Sequence, residues 1–145
     1  MELNFKKIHK DAVIPSYANN GSAALDITCV NFEQEFDRSG KLVLKYHTGL
    51  TVDIPKGYTA MLFMEDAASE KSMMLTNGVI VLDSNSKDEI VARFKITTDA
   101  LPTIYQPGEK FLKMVIAPYS LVDIKVTVEE NGNEVEEGKA DEVQQ

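Results

Sequence analysis

Two acids stand out for where they sit in the chain. Asp83 lies in the stretch 77–90, NGVIVLDSNSKDEI, directly after the apolar run Val79, Ile80, Val81, Leu82 and before Ser84, Asn85, Ser86, Lys87 and Asp88, which supply turn chemistry. The stretch reads as a β-hairpin carrying a carboxylate at its bend, a feature that is often structural only. Asp26 lies in 22–30, SAALDITCV, where Leu25, Ile27 and Cys29 alternate with Ala24, Asp26 and Thr28. Period two predicts a strand with Asp26 on the face opposite Leu25 and Ile27, and the plain reading of that acid is a solvent-facing carboxylate.

Other chemistries lack their residues. There is no glycine-rich phosphate loop, no His-Glu-x-x-His zinc helix and no Ser-His-Asp set singled out by spacing. His9 and His47 have no partners at ligand spacing and read as structural or surface residues. Cys29 is the sole cysteine, which excludes an internal disulfide and a multi-cysteine metal site, and its neighbours Ile27 and Val30 predict a buried thiol.

The elements that must position these acids are mostly strands. Alternation predicts strands over 3–8, 42–47, 50–54, 58–64, 90–96 and 121–128, separated by turns such as DRSGK at 37–41, Pro55-Lys56-Gly57 and Gln106-Pro107-Gly108. Over 65–75, EDAASEKSMML, the period-two pattern gives way to helix formers, and a short helix with Asp66 as N-cap is predicted. Many short strands, one short helix and no βαβ repeat make an all-β barrel or sandwich.

The chain has 145 residues, 43% of them hydrophobic, enough for one domain with a real core. Its formal net charge is −8, and residues 129–145 hold seven acids against one lysine. That polar stretch predicts a solvated, disordered extension, dividing the chain into a domain over 1–128 and a tail over 129–145. An acidic chain without a basic stripe is a poor nucleic-acid binder, because phosphate contacts need Lys and Arg. No segment approaches a membrane span and the N-terminus lacks a signal-peptide core, so a cytoplasmic location is expected.

Taken in order, the stretches resemble the trimeric dUTPase family, which hydrolyses dUTP to dUMP and pyrophosphate. The resemblance runs from about Lys7 to Val128. Ala23, Ala24, Leu25, Asp26 and Ile27 are similar to the family's first motif, the segment HTGLTVDIPKGY at 47–58 to the approach to its phosphate loop, 77–90 to its third motif, and 107–115 to its fourth. It implies a jelly-roll β-barrel with one short helix, a homotrimer and a nucleotide ligand; it names no further protein partner. It also implies roles for particular residues. Asp83 falls at the water-activating acid, a general base working beside Mg²⁺, and Asp26 at the acid near the triphosphate and its metal, which it would meet through water. Asn77, Gly78, Ser86 and Lys113 fall at nucleotide-contacting positions, and Glu89 also matches.

The departures from the family pattern concentrate on phosphate. Where the second motif has Pro-Arg-Ser, this chain has Met64, Glu65 and Asp66, two acids at the position that holds phosphate on a helix N-terminus. At ~4 Å and an effective dielectric near 20 a unit-charge contact is worth about 4 kcal/mol, so a triphosphate should be repelled. Ser86 replaces the tyrosine that packs on deoxyribose, Lys87 and Asp88 the following Arg-Gly, Ile80 an internal glycine, and Lys113 the phosphate-contacting glutamine. The Arg- and Gly-rich C-terminal arm is absent. Three readings follow: a catalytically impaired homologue with a nucleotide-binding or regulatory role, an active dUTP diphosphatase with rearranged contacts, or an enzyme or sensor for a less charged nucleotide or nucleoside, with Glu65 and Asp66 binding a cation or sugar hydroxyls.

Overall fold

The computed structural model describes residues 1–139. In chain order the strands are β1 (Asn4–Lys7), β2 (Ser16–Tyr17), β3 (Leu25–Thr28), β4 (Asn31–Phe36), β5 (Leu42–His47), β6 (Leu50–Asp53), β7 (Tyr58–Met64), β8 (Met73–Leu75), β9 (Ile80–Leu82), β10 (Val91–Ile96), β11 (Lys110–Pro118), β12 (Lys125–Glu130) and β13 (Asn133–Lys139). All pairings are antiparallel: a four-stranded sheet in the order β4-β5-β10-β8, a five-stranded sheet β2-β3-β11-β7-β9, and two-stranded ribbons β1-β6 and β12-β13. The all-β expectation holds. The two larger sheets are not hydrogen-bonded into a closed barrel; each turns one face to a shared core.

Period-two patterning builds that core. Leu44 and Tyr46 of β5, Ala92 and Phe94 of β10, Ile27 of β3, Ala60 and Leu62 of β7 and Leu112 and Met114 of β11 are all buried in one cluster. At its centre the Tyr46 ring stacks on Phe32 at 4.9 Å and meets Phe94 edge-on at 5.3 Å, while its hydroxyl donates to the Tyr105 carbonyl at 2.8 Å. A buried tyrosine whose hydroxyl is satisfied combines large apolar burial with no polar penalty.

Four sequence expectations need correction. The stretch 77–90 is not a hairpin. β9 pairs with β7 in one sheet and β10 with β5 and β8 in the other, so the segment carrying Asp83 crosses between sheets. The helix over 65–75 is a single 3-10 turn, Asp66–Glu70, capped by Glu65 rather than Asp66. Its last three residues are β8, because Met73 and Leu75 bury inward while their backbone completes the edge of β10. The stretch 31–36, without an expected element, is β4, with Phe32 facing the core.

The fourth concerns the tail. The boundary expected at 128 cuts through β12, which pairs with β13 across Asn131-Gly132. Both turn residues have positive φ, 50° and 82°. That is the backbone a two-residue type I′ turn demands, and Asn-Gly adopts it with little strain. The acidic composition of 129–139 does not prevent pairing, since the turn sets the register locally. Residues 140–145 of the expected tail lie outside the described residues.

Candidate functional site

The five-stranded sheet turns its second face outward, and the register shows what it carries. Asp26 of β3 lies opposite Lys113 of β11, which lies opposite Phe63 of β7; in the next row Val115 lies opposite Met61 and Met61 opposite Val81 of β9. Asp26 thus takes the face that alternation predicts, yet it is 7% exposed rather than solvent-facing. Lysines cover it. Lys113 Nζ lies 2.6 Å from Asp26 Oδ1 and Lys110 Nζ 3.5 Å from Oδ2. The Lys113 hydrogen bond holds the Asp26 carboxyl below its ordinary value despite burial, and Asp26 in turn raises the Lys113 ammonium, with Asp66 and Glu65 adding to that rise.

Glu65 finds both of its partners inside the chain. Its Oε2 accepts the Ala67 N–H at 2.8 Å, capping the 3-10 turn, and its Oε1 accepts the Tyr105 hydroxyl at 2.6 Å. Both oxygens are held within the chain. Burial, and then Glu65, push the Tyr105 hydroxyl well above the ordinary phenol range, so it remains a donor. Lys71 lies 5.0 Å from the Tyr105 ring centroid and 3.2 Å from Glu109 Oε2, completing the support. Asp66 is the exposed acid of the pair. The charge reversal read at this motif therefore reaches solvent chiefly through Asp66. Tyr105, forty residues away in sequence, carries no linear signal for its role.

Asp83 sits in a tight loop. Its Oδ1 accepts the Asn85 N–H at 2.9 Å, its N–H donates to Ser86 Oγ at 3.1 Å, and its carbonyl accepts the Ser86 N–H at 3.0 Å. Ser86, at the position implied to contact sugar, locks this turn. The loop's far end is anchored by Glu89, whose Oε1 meets His47 Nδ1 at 2.9 Å and whose Oε2 accepts the Gly49 N–H at 2.9 Å. The close packing there leaves Gly49 no room for a side chain: a Cβ would lie 2.7 Å from that of His9. His47 thus has acids nearby after all, including Glu33 at 3.6 Å, brought by strand pairing rather than by spacing. These groups edge a hollow of about 230 Å³.

The predicted site residues gather in two places. Asp26, Lys113, Glu65 and Asp66 meet at one end of the outward face. Gly78, next to Asn77, lines an apolar hollow of about 520 Å³ with Phe63, Met64, Met74, Leu75 and Lys95 near that end. Asp83 follows Val81 by two residues and lies three strands and about four residues of register from Asp26, roughly 20 Å at standard sheet spacings. One chain does not bring Asp83 to Asp26. Among the described residues no group of three His, Cys, Asp or Glu side chains converges as a metal site, and Asp26, the position implied to face a metal, is engaged by ammonium groups.

No protein-family model matches the chain. Curated relatives do: the deoxyuridine 5'-triphosphate nucleotidohydrolase (dUTPase) of Hydrogenobaculum sp. is 29% identical over 139 residues, 95% of this chain and 94% of that protein, and that of Desulfitobacterium hafniense 28% identical over 120 residues, 81% and 78%. The chain is thus similar to dUTPases over most of its length, at 28–29% identity. Solved dUTPases share its fold: that of Streptococcus mutans aligns with a TM-score of 0.67 at 22% identity, covering 82% of this chain and 98% of that one. The dUTPase of phage phi11 of S. aureus aligns at 0.73 and 17%, covering 90% and 97%. Asp26 on β3 and Asp83 in the loop after β9 both lie within this shared fold.

Proposed function

We propose that this dUTPase-like chain is catalytically impaired and retains a nucleotide-binding or regulatory role in the cytoplasm. The observation that carries the reading is the Asp26–Lys113 pair with Asp66 beside it: groups that would meet a triphosphate are bonded to one another, and the exposed charge left at the turn is negative. Phosphoryl chemistry depends on positive charge and aimed donors, and losing several costs most of the transition-state stabilisation. Mg²⁺, implied by the family, does not fit the donors present, since Lys113 and Lys110 hold Asp26. The test is dUTP turnover with Mg²⁺ on pure protein. No pyrophosphate release, together with measurable heat on titrating a non-hydrolysable dUTP analogue, is expected; robust release overturns the reading.

The second reading, an active dUTP diphosphatase using Asp83 to activate water, is favoured by the retention of Asp83 and by a relative so named that matches 95% of the chain. Both readings call for a homotrimer. The roughly 20 Å between Asp83 and Asp26 in one chain supports a site shared between copies. The outward face of Met61, Phe63, Val79, Val81 and Val115 supports it as well, for Val81 is 64% exposed on a surface otherwise suited to burial.

A further inference from the structure

We propose that Lys113 is the resident cation of this site, standing on Asp26 where the family's chemistry calls for a divalent metal and its waters, so that the site works without one. The inference rests on Asp26 being the dUTPase first-motif acid, and it holds whether or not turnover is found. Its basis is geometric. Asp26 is nearly sealed from solvent at 7% exposure, and its neighbours across β3 and β11 are fixed by backbone register, not by a flexible loop. Lys113 Nζ makes a 2.6 Å contact to one oxygen, and Lys110 approaches the other at 3.5 Å. A hydrated divalent ion near this carboxylate would displace a short charge-assisted hydrogen bond and meet two ammonium charges.

The lysine also suits the neighbouring charges. Asp26 is the carboxylate in contact with the Lys113 ammonium, and the negative charges of Asp66 and Glu65 favour the same ammonium from further off. A side chain provides that charge permanently and at fixed stoichiometry. An ammonium has three donors, and Asp26 takes one of them. The remaining donors can meet a hydroxyl or a single phosphate oxygen of a nucleotide that arrives without metal.

The test reads cation binding rather than turnover, so an active enzyme would overturn the functional reading and leave this inference standing. Thermal unfolding of the full chain is followed with and without millimolar MgCl₂ for wild type, Asp26→Asn, Lys110→Gln/Lys113→Gln, and the triple variant adding Asp26→Asn. Wild type and Asp26→Asn are expected to respond alike to Mg²⁺. The double lysine variant gains a rise in Tm of several degrees on Mg²⁺ that the triple variant lacks, because ion binding to the folded state alone stabilises it. A Mg²⁺ response of wild type that Asp26→Asn abolishes overturns the proposal, as does a folded double lysine variant with no response. Should the double variant fail to fold, Mn²⁺ titration read by electron paramagnetic resonance decides. Equal free Mn²⁺ signals for wild type and Asp26→Asn uphold the proposal, and a lower signal for wild type overturns it.

Discussion

The outward faces of the two main sheets are built on the same alternation and carry opposite chemistry. On the four-stranded sheet, Arg93 pairs with Glu35 at 2.9 Å, Lys45 with Glu33 at 3.8 Å, and His47 sits between Glu33 and Glu89. On the five-stranded sheet the corresponding rows are Val115, Met61 and Val81, then Lys113 and Phe63, with one sealed ion pair at Asp26. The first face is finished mostly by its own ion pairs, with Met74 left exposed on its β8 edge. The second leaves apolar groups uncovered around a charge pair that is already closed, the pattern of a surface meant to be covered.

The largest effect should come from breaking the apolar face. If the proposed trimer packs through this face, Val81→Asp lowers the solution mass threefold by sedimentation analysis, because an unpaired charge in a packed interface is costly. Arg93→Ala on the opposite face should leave the mass and the urea midpoint unchanged, as exposed ion pairs contribute little. Next, Lys113→Ala should cost about 2–3 kcal/mol in urea unfolding. That is below the ~3–5 kcal/mol of a fully buried pair, because Lys113 keeps partial solvation.

Smaller effects sharpen the contrast. Glu89→Ala strands the Gly49 N–H and frees His47, for a loss of about 1–2 kcal/mol, and Glu89→Gln should lose less because an amide oxygen can still accept. The smallest effect should appear on acidification. Asp26 has a folded pKa below its ordinary 3.8, so the unfolded chain binds more protons between the two values. The pair's contribution is complete above 3.8 and is lost as pH falls through the lower folded value. Lys113 is raised above its ordinary 10.5, so at the alkaline end the contribution is complete below 10.5 and lost as pH rises through the raised value. Acid unfolding of Asp26→Asn, followed by circular dichroism, should lack the low-pH component.

Alternation made several strands readable, β7 among them with bounds matching 58–64, and it placed Asp26 on the correct face. It could not show that Asp26 is covered there, because Lys113 lies far along the chain and arrives only when β11 pairs with β3. Over 65–75 local helix propensity lost to tertiary pairing: Met73 and Leu75 gain burial as a strand beside β10. In the tail the composition predicts disorder, but the local signal Asn131-Gly132 prevails, because two positive-φ residues suffice to set a hairpin. Glu65 is the clearest case. As a residue type it reads as a charge reversal, and only the fold shows both of its oxygens turned inward to the Ala67 N–H and the Tyr105 hydroxyl.

By itself the sequence determined the all-β class, the alternating core and the motif positions of Asp26 and Asp83, because strand periodicity and turn residues act over a few neighbours. The tertiary structure decided that Asp26 is bound to Lys113, that Glu65 serves Tyr105, and that Asp83 lies roughly 20 Å from Asp26 within one chain. Those outcomes depend on which strands pair and in what register. Such pairings join residues far apart in sequence, where no local preference of the chain can reach.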